Sequence, residues 1–138
     1  SLNDLSLRPP RALEDGEVLD LGGKRVRYLA TPHLPHGWDA GLMFEESTGT
    51  LLASDLLGQL GDGPALANGD IVGPALASEA LWHSMSVTQD TGPALRRLAA
   101  LAPKTLAIMH GSSLNTGCAD ALRSFADGIV RQSLATAA

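Results

Sequence analysis

Between Glu17 and Ser54 four short apolar runs follow one another, each closed by turn-forming residues, and this spacing constrains the fold more than any other feature. The runs Glu17–Leu21 and Lys24–Ala30 flank Gly22-Gly23, a pair of the kind that closes a β-hairpin. The runs Gly41–Glu45 and Thr50–Ser54 flank Glu46-Ser47-Thr48-Gly49, a second turn. Strands this short and this closely joined leave no room for crossover helices, so this part of the chain reads as antiparallel sheet.

After Gly58 the pattern changes. Residues 59–76 read as a loop, with Leu60–Gly73 rich in Gly, Asn and Asp, long enough to be functional or mobile. Helices are predicted over Ser78–Ser86 and Pro93–Ala102. The second opens behind Asp90 and Thr91 with Pro93 in its first turn and stops at Pro103; Leu95, Leu98 and Leu101 give it a buried stripe. The run Thr105–Met109 reads as a strand delivering His110-Gly111 at its tip. A last helix is predicted from about Thr116 to Leu134, capped by Asn115 or Thr116, with Cys118, Ala121, Leu122, Phe125 and Ile129 on one face. Residues 1–16 are polar, contain Pro9-Pro10 and read as a connection into an Asp15-Gly16 turn. The order hairpin, hairpin, helices, strand, helix predicts an α/β fold: a mostly antiparallel sheet with helices on one face. The sheet's second face has no helices left to cover it.

Composition removes several function classes. The chain has 138 residues, enough for one domain, with net charge −5 and no Lys/Arg cluster, so nucleic-acid binding is not expected. Its apolar segments are too short to span a bilayer, and the residues Ser1–Pro10 do not read as a secretory signal. The single cysteine, Cys118, forbids an internal disulfide and a thiolate-rich metal site, which suits a reduced, cytoplasmic setting.

The candidate chemistry rests on residues at strand ends. Of the 4 histidines, three fall in turns rich in Gly, Pro or Ser, and an aspartate, Asp55, follows the fourth run. Imidazole suits zinc or iron, and a carboxylate can bridge two cations because each oxygen binds one while its charge offsets theirs. His36, Asp55 and His110 each follow an apparent strand, so loops at one sheet edge could gather them. Taken singly, each has a plainer reading: a histidine after a strand is an ordinary loop residue, and Asp55 could cap a turn. Spacing alone does not choose between His36 and His33. His83 beside Trp82 reads as a packed or surface side chain, and Cys118 as core.

Together, Thr31-Pro32-His33-Leu34-Pro35-His36-Gly37-Trp38-Asp39, the Leu51–Gly58 segment and Ile108-Met109-His110-Gly111-Ser112-Ser113 resemble the metallo-β-lactamase superfamily, more narrowly its oxygen-binding di-iron, flavodiiron-like branch. The hairpin before the ligand turn is similar too. The resemblance implies half of an αββα sandwich, the carboxy-terminal half, running over residues 1–138: connection 1–16, hairpins with ligand loops 17–58, loop 59–76, and helices with one strand 77–138. It implies that His36 and His110 each hold one metal, that Asp55 bridges them, and that Asp39 orients an imidazole from behind. No catalytic side chain beyond the ligands is expected. The His-x-Glu/His-x-Asp-His motif that supplies the family's other ligands does not occur in these residues.

The expected cofactors are two metal ions, iron before zinc, with no flavin on this chain, and the expected substrate is a small molecule. The first functional reading is therefore a fragment of a di-iron protein that binds or reduces O₂ or a related diatomic, inactive on its own. The alternatives are a dinuclear zinc hydrolase of esters, thioesters or lactams, and a metal-free binding or assembly module. The expected partner is the missing amino-terminal half or another chain completing the site. A homo-oligomer is a further way to cover the open sheet face.

Overall fold

The structure, a computed structural model, describes residues 7–136; the first six residues of the expected connection and the last two of the Ala-rich tail lie outside the described residues. Five strands form one sheet: β1 (Val18–Asp20), β2 (Arg25–Ala30), β3 (Gly41–Glu45), β4 (Thr50–Ser54) and β5 (Thr105–Ile108). Among the described residues three helices accompany them, α1 (Val72–Trp82), α2 (Thr91–Ala100) and α3 (Cys118–Thr136). The sheet order is β1-β2-β3-β4-β5. The first three pairings are antiparallel and the last, β4 with β5, is parallel. A parallel pair needs a crossover, and α1 and α2 lie in the connection between β4 and β5.

Topology positions the candidate site. Two antiparallel steps restore chain direction, so β2 and β4 run the same way, and β5 runs with β4. All three strands therefore end at one edge of the sheet, and the residues just after them share that edge.

The register sorts the sheet's two faces. Leu29 pairs with Leu42, Phe44 with Leu51, and Leu51 with Leu106, so these side chains point to one side. They meet Leu95 and Leu98 of α2 and Leu122, Phe125 and Ile129 of α3 in one core cluster. Full burial of each such side chain contributes about 1.5–3 kcal/mol. The opposite face carries Tyr28, Met43, Leu52 and Ala107 in register, and Leu52 is 47% exposed. Tyr28 lies flat across Gly41, where an added Cβ would come within 2.2 Å of its ring.

Two expectations are corrected. The loop expected over 59–76 ends earlier, because α1 begins at Val72 rather than at Ser78. Asp70 accepts hydrogen bonds from the backbone N–H groups of Val72 and Gly73 and so replaces the missing helical partners. Pro74 falls in the first turn, where its lack of an N–H costs nothing. The same helix was expected to run to Ser86 but stops at Trp82, and His83 takes a left-handed conformation with φ 49°. Glu79 accounts for the stop: its carboxylate accepts from the Met85 N–H at 2.9 Å and from Ser84 Oγ, turning that segment back instead of letting it wind on. The 60–71 stretch is pinned by backbone hydrogen bonds from Ala67 N to Ser113 O and from Ser113 N to Ala65 O. Among the described residues no helix is long and apolar enough to cross a membrane.

Candidate metal centre at the edge of the sheet

The turn after β2 folds on itself: Thr31 N donates to Ala40 O, His33 N to Trp38 O, and Leu34 N to Thr31 O. Leu34 is 1% exposed, so it anchors the turn in the core while His36, just beyond, is left half-exposed. The Trp38 ring stacks on the His36 imidazole, with centroids 4.7 Å apart and planes 18° from parallel.

Asp55 sits in a tighter device. Leu56 N donates to Ala53 O and Gly58 N to Asp55 O, with Ser54 at φ 50° and Leu57 at φ 61°. Left-handed backbone at residues that carry a Cβ is costly, and such positions collect where a side chain must be aimed. The Asp55 side chain is only 17% exposed.

The three expected ligands meet. His36 Nε2 lies 2.5 Å from Asp55 Oδ2, and His110 Nε2 lies 3.0 Å from Asp55 Oδ1. Each carboxylate oxygen thus faces a different imidazole. Asp55 Oδ1 is buried and, despite its nearness to His110, receives no hydrogen bond. A buried acceptor without a donor is unfavourable, and a cation is one group that would relieve it. The donor set, two imidazoles and a carboxylate between them, fits a pair of zinc or iron ions. Among the described residues no three His, Cys, Asp or Glu side chains gather as the ligands of one ion, so each ion would have two ligands from this chain.

The other sequence-level candidates lie elsewhere. Asp39 is exposed, and the structure does not bring its carboxylate to either imidazole; what packs on His36 is Trp38. His33 is exposed and turned back on its own loop, with Nδ1 3.0 Å from Gly37 O. His83 is exposed at the end of α1, and Cys118 is buried, its thiol pushed up by burial.

A cavity of about 690 Å³ opens beside the three side chains, with Trp38, Trp82, Glu79 and Phe125 among its walls. Sequence reasoning missed the residues that brace it. Glu79 holds the segment after α1, and Ser86 of that segment donates from N to His33 O and from Oγ to Gly37 O, against the His36 turn. Gln59 spans from the Asp55 turn to the His110 loop. An acidic residue on the apolar side of a helix was the available signal for Glu79; Gln59 carries no local signal for its link to the His110 loop, because Ser112 lies 53 residues away.

No protein-family model and no curated protein sequence matches the chain. Solved structures do. Rubredoxin:oxygen oxidoreductase from Desulfovibrio gigas superimposes with a TM-score of 0.68 at 16% identity, over 91% of this chain and 35% of that one. A mutant flavo di-iron protein from Thermotoga maritima gives 0.66 at 18% identity, over 84% and 30%. A metallo-β-lactamase family protein from Thermus thermophilus gives 0.56 at 25% identity, over 93% and 36%. The chain spans 30–36% of the length of these three structures. Its fold is that of the metallo-β-lactamase proteins, of which it forms one sheet with its helices.

Proposed function

We propose that the chain is the carboxy-terminal part of a di-iron protein of the metallo-β-lactamase fold that binds or reduces O₂ or a related diatomic. One observation carries the reading: a largely buried carboxylate whose two oxygens each face a separate imidazole, one of them with no hydrogen-bond donor. The names of two similar structures, a flavo di-iron protein and a rubredoxin:oxygen oxidoreductase, favour iron over zinc.

In this reading His36 and His110 would each hold an ion, with the Asp55 carboxylate as the ligand they share. Iron held by these side chains would supply electrons to a small oxidant. Asp55 contributes negative charge where two cations would otherwise repel, and its tight turn holds that charge in place. Trp38 restricts the His36 ring to one plane. Phe125 and the two Trp side chains give the cavity apolar walls. Two ligands per ion are too few for tight binding, so further ligands come from a partner: an amino-terminal half of the same protein or a second chain. Trp38 and Trp82, each 65% exposed at the cavity, are placed to pack against it.

The cavity itself favours a second reading. Its 690 Å³ is in the range of small-molecule sites and far more than a diatomic fills, which suits a dinuclear zinc hydrolase of an ester, thioester or lactam. Metal analysis of the intact gene product separates the two. Iron, with a colour change on admitting O₂, supports the first; zinc with ester turnover overturns it. Asp55→Ala in the same protein abolishes binuclear loading, and two metals retained per chain would remove Asp55 from the bridge.

A further inference from the structure

We propose that Gln59 is a positioning residue that sets the distance between Asp55 and His110 by clamping the turn after β4 to the loop after β5; its metal-binding consequence rests on the site reading above. Both ends of its amide are used. Oε1 accepts from the Ser112 N–H at 2.9 Å, and Nε2 donates to Leu57 O at 2.6 Å and to Ser112 O at 3.3 Å. Its own backbone N–H donates to His110 O at 2.9 Å. One residue thus ties the carbonyl two positions after Asp55 to the peptide groups on both sides of Gly111.

Packing says the same. Gly111 has φ 98°, and a Cβ there would fall 2.8 Å from Gln59 Oε1 and 3.0 Å from its Cβ and Cδ, so the His110 loop is wrapped closely around the Gln59 side chain. Gly58, the residue before, already sits against the other partner: a Cβ there would lie 3.0 Å from Asp55 O and 3.7 Å from His110 Cβ. β4 and β5 are hydrogen-bonded to each other only as far as Ser54 and Ile108, with one more backbone bond from Met109 N to Ser54 O. Beyond that point the sheet no longer holds Asp55 and His110 together, and Gln59 takes over. An amide suits the task because it donates and accepts at once, whereas a carboxylate only accepts.

The test uses the intact protein and two variants, Gln59→Leu, which removes both side-chain functions, and Gln59→Glu, which keeps shape and acceptor but replaces the donor with a carboxylate oxygen facing two carbonyl oxygens. In the metal-free protein, hydrogen exchange at the Gln59 and Ser112 amides is expected to rise about tenfold or more in both variants, while amides of α3 keep their protection. In cobalt(II) titrations followed by visible absorption, both variants are expected to lose roughly 10–100-fold in affinity. Unchanged exchange, or Gln59→Glu behaving like the unaltered protein, overturns the clamp. Accelerated exchange with full cobalt affinity, where Asp55→Ala loses that affinity, overturns the positioning role. If Asp55→Ala also keeps cobalt, the metal-site reading falls, and the exchange measurement alone decides whether Gln59 holds the two loops. Should Gln59→Leu not fold, Gln59→Glu is read by itself.

Discussion

Asp55 is the residue on which the site turns, and what distinguishes it is placement more than identity. It follows a residue at φ 50°, precedes one at φ 61° by two positions, and shows 17% of its side chain to solvent. Its neighbours were legible as candidate ligands because histidine after a strand is a narrow class of residue. The residues that hold them were not, because Gln59, Glu79 and Trp38 acquire their roles only from contacts the chain makes on folding. Glu79 is the clearest case. Only 8% exposed, it accepts from Met85 N and Ser84 Oγ, and the segment so held carries Ser86 to the His36 turn. Glu79→Ala leaves the Met85 N–H buried and unpaired, and a loss of about 1–3 kcal/mol in urea unfolding is expected. Trp38→Ala frees the His36 ring, which the stack holds at 4.7 Å; weaker cobalt(II) binding with an unchanged melting temperature is expected, because the Trp38 side chain is mostly exposed.

At the scale of elements, hairpins were easier to read than helix ends. The strands Gly41–Glu45 and Thr50–Ser54 stand where the sequence pattern places them, because tight turns and alternating side chains are local properties. The start of α1 was hidden by Gly73 and Pro74, which look like loop residues until Asp70 supplies the cap. Its end was hidden because no Gly or Pro comes just after Trp82 to mark it; the Glu79 carboxylate, which holds Ser84 and Met85, sets it instead. Helix packing leads to a prediction at this scale. Gly128 of α3 lies beneath Leu76 of α1, where an added Cβ would be 2.4 Å from Leu76 Cδ1 and 2.9 Å from Cδ2. Alanine is ordinarily better than glycine in a helix by about 1 kcal/mol. Here Gly128→Ala must push Leu76 out of its place, and a net loss of about 1 kcal/mol by thermal denaturation is expected. A second prediction concerns the brace between the first turn and α2. Asp15 accepts from the Ala30 N–H at 2.8 Å and from Arg97 at 2.6 Å, and these bonds hold its carboxyl below the usual 3.8 despite some desolvation. A lowered pKa means the stabilisation is fully present above the unfolded value and lost as pH falls through the folded one. The stability difference between the protein and Asp15→Asn is therefore expected to shrink when urea midpoints are compared at about pH 6 and about pH 3.

For the molecule as a whole, the decisive fact is that one side of the sheet is packed and the other is open. Leu52, 47% exposed, stands in register with Met43 and Ala107 on the open side. Exposed apolar sheet surface favours association. The isolated chain is expected to show concentration-dependent light scattering, and Leu52→Lys to reduce it; equal scattering from both would place the contact elsewhere. The chain spans 35% of the D. gigas oxidoreductase and 36% of the Thermus protein.

The sequence by itself determined the local grammar: four short strands joined by turns, a strand ending at His110, an amphipathic last helix, and three ligand-type residues each following a strand. Only the tertiary structure decided that these three share an edge, because that depends on β2, β4 and β5 running in one direction, a property of sheet order and not of any single segment. It also decided which side chains hold the edge together. Gln59 and Ser112 are 53 positions apart, and no local pattern connects them until the sheet has brought their loops within hydrogen-bonding reach.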